Sequence, residues 1–262
     1  MAFKKVNNTP SLNAIEYNSE EAKLFLNDYK ACVEKDLLEK SEYTPSKTFA
    51  PSSIRCKRQQ WFRLRGTAPD KVIKPDTTLN FIANVGTDCH KRVQQVIKEK
   101  MPDKWVNVVS YVSHNKPDFD YVLYEGEYEA RIKFSNPPVN FSCDGLLNLN
   151  DTIYLLEIKT TEPTSMKSLV GIKSEHLDQV QTYCTLLNID NAIVMYVDRL
   201  YGELKCFTYR LSDVDKRRVI NTFEEVMLKV EQNIIPEGLP QGDKWCNASY
   251  CKYFKSCRRW AM

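Results

Sequence analysis

Residues 139–161, VNFSCDGLLNLNDTIYLLEIKTT, constrain the fold of this chain more than any other stretch. Two β-rich runs, VNFSCDGLLNL and TIYLLEIKTT, are separated by Asn148, Asn150 and Asp151, which favour tight turns, so the segment predicts a β-hairpin. The run YLLE is apolar up to its last residue, which puts a carboxylate at the end of a buried strand, where an idle charge is costly. Side chains two apart on a strand project the same way, so Glu157 and Lys159 share a face while Ile158 turns to the core. Asp144 sits in the first arm of the hairpin.

Elements on both sides of this hairpin follow from periodicity and punctuation. Residues 19–40 carry a helical pattern with an acidic first turn, followed by the Ser/Thr/Pro-rich connector SEYTPSKTFAPSS. A second helix should open at Pro51, Ser52 and Ser53 and carry Cys56, Arg58 and Trp61. Residues 79–100 form another helix, with His90 near its middle. Residues 105–123 favour strands or irregular connections, and 124–134 alternate as a half-exposed strand. Downstream come a helix over roughly 173–188, strands at AIVMYVD and LKCFTYRL, and a helix opened by Ser212 with Asp215 three residues on. The expected organisation is an N-terminal helical extension over residues 1–48 and one α/β catalytic domain over 49–262, with a mixed central sheet and flanking helices.

Composition narrows the class. At 42% apolar and 27% charged residues the chain is ordinary globular protein. Its N-terminus lacks a signal-like apolar run and no segment is apolar enough to span a bilayer, so it is expected in the cytoplasm with no membrane partner. A net charge of +3 does not announce a nucleic-acid partner by itself. Local clusters say more: Arg55, Lys57, Arg58, Arg63 and Arg65 interleave with Trp61 and Phe62, and Lys252, Lys255, Arg258 and Arg259 with Tyr253, Phe254 and Trp260, mixtures suited to phosphate contact and base stacking. The nine cysteines are not expected to form a disulfide framework in a cytosolic chain. Cys32, Cys89, Cys143, Cys184 and Cys206 read as small core residues.

Hydrolysis of a phosphodiester needs hard oxygen ligands for Mg²⁺ or Mn²⁺, a positioned water and positive charge near the developing phosphorane. Asp144 and Glu157 can hold the ion, the Ile158 carbonyl can add a ligand, and Lys159 can orient the water or stabilise charge. A further acidic ligand is sought among Glu125, Glu127 and Glu129, which alternate along one strand face, Glu129 being favoured for its interior position.

The segment FSCDGLLNLNDTIYLLEIKTT resembles the core motif of the PD-(D/E)xK nuclease superfamily, with Cys143 in the place of the namesake proline. Gly86 and His90 resemble the G-x-x-x-H element of the RecB-like branch, whose histidine joins the metal shell, and Gln179 with Tyr183 matches its Q-x-x-x-Y motif. Cys56 with Cys246, Cys251 and Cys257 is similar to the cysteine set of the iron–sulfur nucleases of the AddB and CRISPR-adaptation types, although four residues rather than the family's usual two separate the first late pair. The resemblance covers residues 50–260. It implies a restriction-endonuclease-like α/β core, a metal-dependent deoxyribonuclease with Asp144, Glu157, Lys159, Gln179 and Tyr183 at its centre, and metal held by His90, Asp144, Glu157 and Ile158. A [4Fe-4S] cluster, or alternatively Zn²⁺, would staple Cys56 to the C-terminal cysteines. The substrate implied is DNA, single-stranded or with a free end, processed exonucleolytically in recombination, repair or phage DNA metabolism. No phosphate-binding loop is present, so unwinding would fall to a helicase or recombination partner. A catalytically silent DNA-end scaffold and a structure-specific or RNA-directed endonuclease are the competing readings.

Overall fold

The computed structural model describes residues 19–39, 46–70, 76–126, 129–240 and 242–259. The chain divides into one unit of Met1–Tyr43 with Ile73–Phe81 and a second of Thr44–Val72 with Ile82–Met262. In the first, helix α1 (Glu20–Glu39) has Glu20 and Glu21 in its first turn, where the positive end of the helix dipole favours acidic groups. Leu24, Phe25 and Tyr29 on α1 are exposed. The first part of the expected connector, residues 41–45, lies outside the described residues, as do Lys40 and residues 1–18.

In the second unit a 3-10 turn at Pro51–Ser53 precedes helix α2 (Lys57–Leu64), with Cys56 as its N-cap. The sequence pattern anticipated one helix here; the chain breaks after Ser53 and restarts at Cys56. Helix α3 (Thr77–Lys100) begins in the first unit and continues into the second. After strand β1 (Trp105–Val106) comes helix α4 (Val108–Asn115), where strands or irregular chain were expected. The β-branched run VVSYV favours extended chain, but the Asn107 side chain accepts the Ser110 N–H at 2.8 Å, and Val108 and Val112, one turn apart, bury together.

Strands β2 (Tyr121–Tyr124), β3 (Ala130–Phe134) and β4 (Val139–Cys143) make a three-stranded antiparallel sheet. The single strand expected over 124–134 is thus interrupted between Tyr124 and Ala130. A side chain at Gly126 would come within 2.4 Å of the Glu129 carbonyl oxygen, a place that only glycine fits. Glu127, one of three carboxylates considered for the site, lies outside the described residues.

Strand β5 (Gly145–Leu149) follows β4 after a single residue, Asp144, yet belongs to another sheet. It pairs with β6 (Thr152–Thr161) across Asn150 and Asp151, both with positive φ, the conformation that a two-residue hairpin turn requires. Helices α5 (Pro163–Ser168) and α6 (Ser174–Leu187) carry the chain to β7 (Asn191–Asp198), parallel to β6, and β8 (Leu204–Arg210) returns antiparallel. The central sheet is therefore mixed, in the order β1-β5-β6-β7-β8, with flanking helices, as the sequence predicted. Helix α7 (Asp213–Glu231) starts as expected, with Ser212 Oγ accepting the Asp215 N–H, and a short α8 (Phe254–Arg259) closes the described chain. No helix among the described residues is long and apolar enough to cross a membrane.

Strand β6 is covered on both faces, which explains its continuous apolar run. Leu155 joins Val180, Cys184 and Leu187 of α6 in the larger core. Leu156 and Ile158 project to the opposite side, where Ile97 of α3 closes a smaller one. Of the cysteines read as core residues, Cys143 and Cys184 are buried, but Cys32 and Cys206 are exposed and Cys89 is half-buried. Cys32 lies on the exposed α1, and Cys206 lies on the edge strand β8. The first basic cluster also differs from a free phosphate-binding patch. Trp61 and Phe62 are core residues; Arg55 pairs with Asp178 at 3.0 Å, Lys57 with Glu225 at 2.5 Å, and Arg58 Nε donates to the Pro236 carbonyl. Of the second cluster, Tyr253 is buried and stacks on Phe62, while Trp260 lies outside the described residues.

Candidate active site

The chain changes sheets at Asp144, and that residue is the centre of the site. Gly145 follows because the Trp105 indole lies against its backbone: a Cβ there would stand 2.5 Å from two ring carbons. Asp144 is 6% exposed and its polar atoms are held from three directions. The Ile158 N–H donates to its Oδ2 at 2.6 Å, His90 Nδ1 lies 3.1 Å from its Oδ1, and Gln94 Nε2 donates to its backbone carbonyl at 2.8 Å. His90 and Gln94 are four apart on α3 and so share a helix face. Gly86 of the same helix faces β6, where an added Cβ would stand at ordinary contact, 3.4 Å, from Thr160 Oγ1.

Glu157 and Lys159 project to the α6 side of β6. Lys159 Nζ lies 2.7 Å from Glu157 Oε1 and donates to Gln179 Oε1 at 2.9 Å. The Gln179 amide in turn donates to Glu157 Oε1 at 3.0 Å and to the Tyr183 hydroxyl at 2.8 Å. Tyr183 is fixed by its ring, which stacks on Phe141 with centroids 4.2 Å apart. Residues four apart on α6 therefore clamp the carboxylate–lysine pair of β6.

Electrostatics follows from burial of several carboxylates together. Burial, and then the charge of Asp144, push the Glu157 carboxyl up to about 7 despite Lys159. The same two causes, in the same order, raise Glu129. At His90 burial favours the neutral ring, but the hydrogen bond to Asp144 and the surrounding carboxylates outweigh it and raise the pKa. Such crowding of like charge calls for a cation. Donor atoms of His90, Glu129 and Asp144 all lie within 4.8 Å of one another, a nitrogen and oxygen set suited to a divalent metal. Glu129 thus stands with Asp144, whereas Glu157 is outside that group and is engaged by Lys159 and Gln179. Ile158 meets Asp144 through its backbone N–H, and its side chain is buried as expected. Gln94 was not singled out in the sequence; its place one turn after His90 was the available signal.

The remaining sequence candidates come together elsewhere in the same unit. Cys56, Cys246, Cys251 and Cys257 line one cavity of about 30 Å³ with Arg58, Phe62, Trp245 and Tyr253. The Arg58 guanidinium reaches Cys257 Sγ at 3.5 Å, and backbone N–H groups from Gln59 and Leu239 point at Cys56. Burial first, then the neighbouring thiols, raise Cys251 to about 11. Four thiols with cationic and amide donors around them have the chemistry of a thiolate metal site.

No protein-family model and no curated protein matches this sequence. Among solved structures, the crystal structure of SSO0001 is 15% identical, with a TM-score of 0.43 over 88% of this chain and 94% of that one. The alkaline exonuclease LHK-Exo from Laribacter hongkongensis is 16% identical, with a TM-score of 0.45 over 72% and 90%. LHK-Exo in complex with dAMP is 16% identical, with a TM-score of 0.38 over 71% and 92%. Likeness at this distance decides nothing about the chemistry, which rests on the side chains described above.

Proposed function

We propose that this chain is a metal-dependent DNA nuclease of the RecB-like PD-(D/E)xK type. The observation that carries the reading is one partly buried constellation. His90, Glu129 and Asp144 gather where the chain changes sheets, Ile158 ties Asp144 to β6, and Glu157 and Lys159 of that strand are clamped by Gln179 and Tyr183. Two buried carboxylates, with a third half-buried beside them, are expensive to hold without a use for their charge.

His90, Glu129 and Asp144 would hold a divalent ion, and Glu157 and the Ile158 carbonyl are the further ligands that the resemblance implies. Mg²⁺ or Mn²⁺ supplies charge neutralisation at the scissile phosphate and a water of lowered pKa. Lys159, steered by Glu157 and Gln179, places its ammonium beside the reacting phosphate, where it orients the water and stabilises negative charge. Tyr183 fixes Gln179, and Gln94 fixes the Asp144 backbone. Residues 49–262 form the catalytic domain. The four cysteines, which line one cavity, would hold a [4Fe-4S] cluster, with Zn²⁺ as the alternative, since four thiolates suit either metal. The expected reaction is exonucleolytic processing of DNA ends in recombination, repair or phage DNA metabolism, in the cytoplasm and with unwinding supplied by a partner.

Digestion of end-labelled linear DNA and matched circular DNA, with Mg²⁺ or Mn²⁺ and with EDTA, tests this. Metal-dependent loss of linear DNA alone is the expected result. Cleavage of circles replaces it with an endonuclease, and no cleavage of either by folded, metal-loaded protein replaces it with a DNA-end scaffold.

A further inference from the structure

We propose that the outer face of the three-stranded sheet carries the backbone of a single nucleic-acid strand to the His90–Glu129–Asp144 triad. The strand's destination rests on the nuclease reading above; the surface itself rests on independent features. Ala130, Ile132 and Phe134 of β3 are buried, which turns Arg131 and Lys133 outward. Glu129, one position before the strand, stands in the same alternating row. Steps of two residues are about 6.6 Å, so the row runs from the triad through Arg131 to Lys133 over about 13 Å. Neither cation has an ion-pair partner among the described residues.

The neighbouring strands complete the surface. Tyr124 of β2 and Ser142 of β4 pair with Arg131 from opposite sides, and Val122 and Asn140 flank Lys133 in the same way. With Thr87 and Lys91 of α3, the residues around Arg131 and Lys133 line a groove of about 680 Å³ that also takes in Glu129 and Glu125. Cations that follow one line hold phosphates, and their contribution falls with salt. The Tyr124 ring is 52% exposed and presents a flat apolar face to the groove's mouth. Only an unstacked base can lie on such a ring, which selects a single strand over an intact duplex.

The test uses fluorescence anisotropy with labelled oligothymidylate and a matched duplex, on the Lys159→Ala background so that bound DNA stays intact. Two single-strand phosphate contacts imply a log–log salt slope lower by about 1.4 for Arg131→Ala/Lys133→Ala, which at 0.1 M salt is about 25-fold weaker binding. Arg131→Lys/Lys133→Arg, which keeps the charge, and Arg217→Ala, a distant exposed cation, should bind like the parent. The proposal is overturned if the double alanine variant binds within twofold of the parent, if Arg217→Ala weakens binding equally, or if the duplex binds as tightly as the single strand. The two readings fail separately. Wild type that cuts no DNA while the alanine pair still weakens oligothymidylate binding removes the hydrolytic reading and leaves the groove. Wild type that cuts while the pair binds normally does the reverse.

Discussion

Replacing Gly145 with alanine should damage stability and cleavage together, through one contact. The added Cβ would stand 2.5 Å from Cη2 and Cζ3 of Trp105. Ordinary carbon contacts are about 3.5–4.0 Å, so roughly 1 Å must be found by moving the indole or the start of β5. The indole is pinned. Trp105 pairs with Leu147 across the β1–β5 ladder, and Lys98 Nζ lies 4.9 Å from its ring centre. Overpacking of this kind costs about 1–3 kcal/mol. The displacement passes to Asp144, the adjacent residue, and a 1 Å misplacement near the chemistry costs on the order of 100-fold in rate. Denaturant unfolding and single-turnover cleavage of labelled DNA read the two effects. Trp105→Leu makes room for the methyl, so the double variant should be more stable than the sum of the singles by about 0.5–3 kcal/mol, with part of the rate restored. Gly171→Ala, where nothing lies within 4 Å of the new atom, should be neutral. A Gly145→Ala protein with wild-type midpoint and rate would refute this account of why glycine follows Asp144.

Burial, and then the charge of Lys159, hold His176 down at about 4, against roughly 6.5 in the unfolded chain. A depressed folded pKa means the stability is fully present above pH 6.5 and lost as pH falls toward 4, by up to roughly 3 kcal/mol. His176→Gln should flatten that slope in denaturation series, and an identical slope would remove His176 as its origin. Gln179→Ala frees both Lys159 and Tyr183, so kcat should fall about 10–100-fold with KM little changed; an unchanged kcat would show that the clamp is structural only. Chelation, prolonged air exposure or Cys56→Ser should lower melting temperature and activity together, because the binding free energy of the cysteine site enters folding directly. Unchanged melting after complete metal loss would sink the stapling role.

The hairpin, the shared face of Glu157 and Lys159, and the Gln179–Tyr183 pair were legible because each depends on a local period, 2 on a strand and 3.6 on a helix. The split at Asp144 was not. VNFSCDGLLNL reads as one strand by propensity, and only tertiary pairing of β4 with β3 and of β5 with β6 divides it. Helix α4 was hidden for the same reason, since its β-branched residues favour strand until the Asn107 cap and the Val108–Val112 burial outweigh them. Glu129 was favoured among three alternating carboxylates only for its interior position, and it is the tertiary structure that groups it with Asp144 and His90. The four cysteines could be grouped by sequence, but the approach of the Arg58 guanidinium to Cys257 could not, because tertiary packing and not a local period sets where that side chain points.

The central claim is that a metal-assisted phosphodiester hydrolysis runs through Lys159 beside Asp144 and Glu157. The most direct measurement is single-turnover cleavage of end-labelled DNA with Mg²⁺ or Mn²⁺, comparing anaerobically purified wild type with Lys159→Ala at matched folding and metal content. Loss of one group that stabilises charge in the transition state predicts a rate lower by about 100-fold or more, with DNA binding retained. Equal rates for the two proteins would contradict the account.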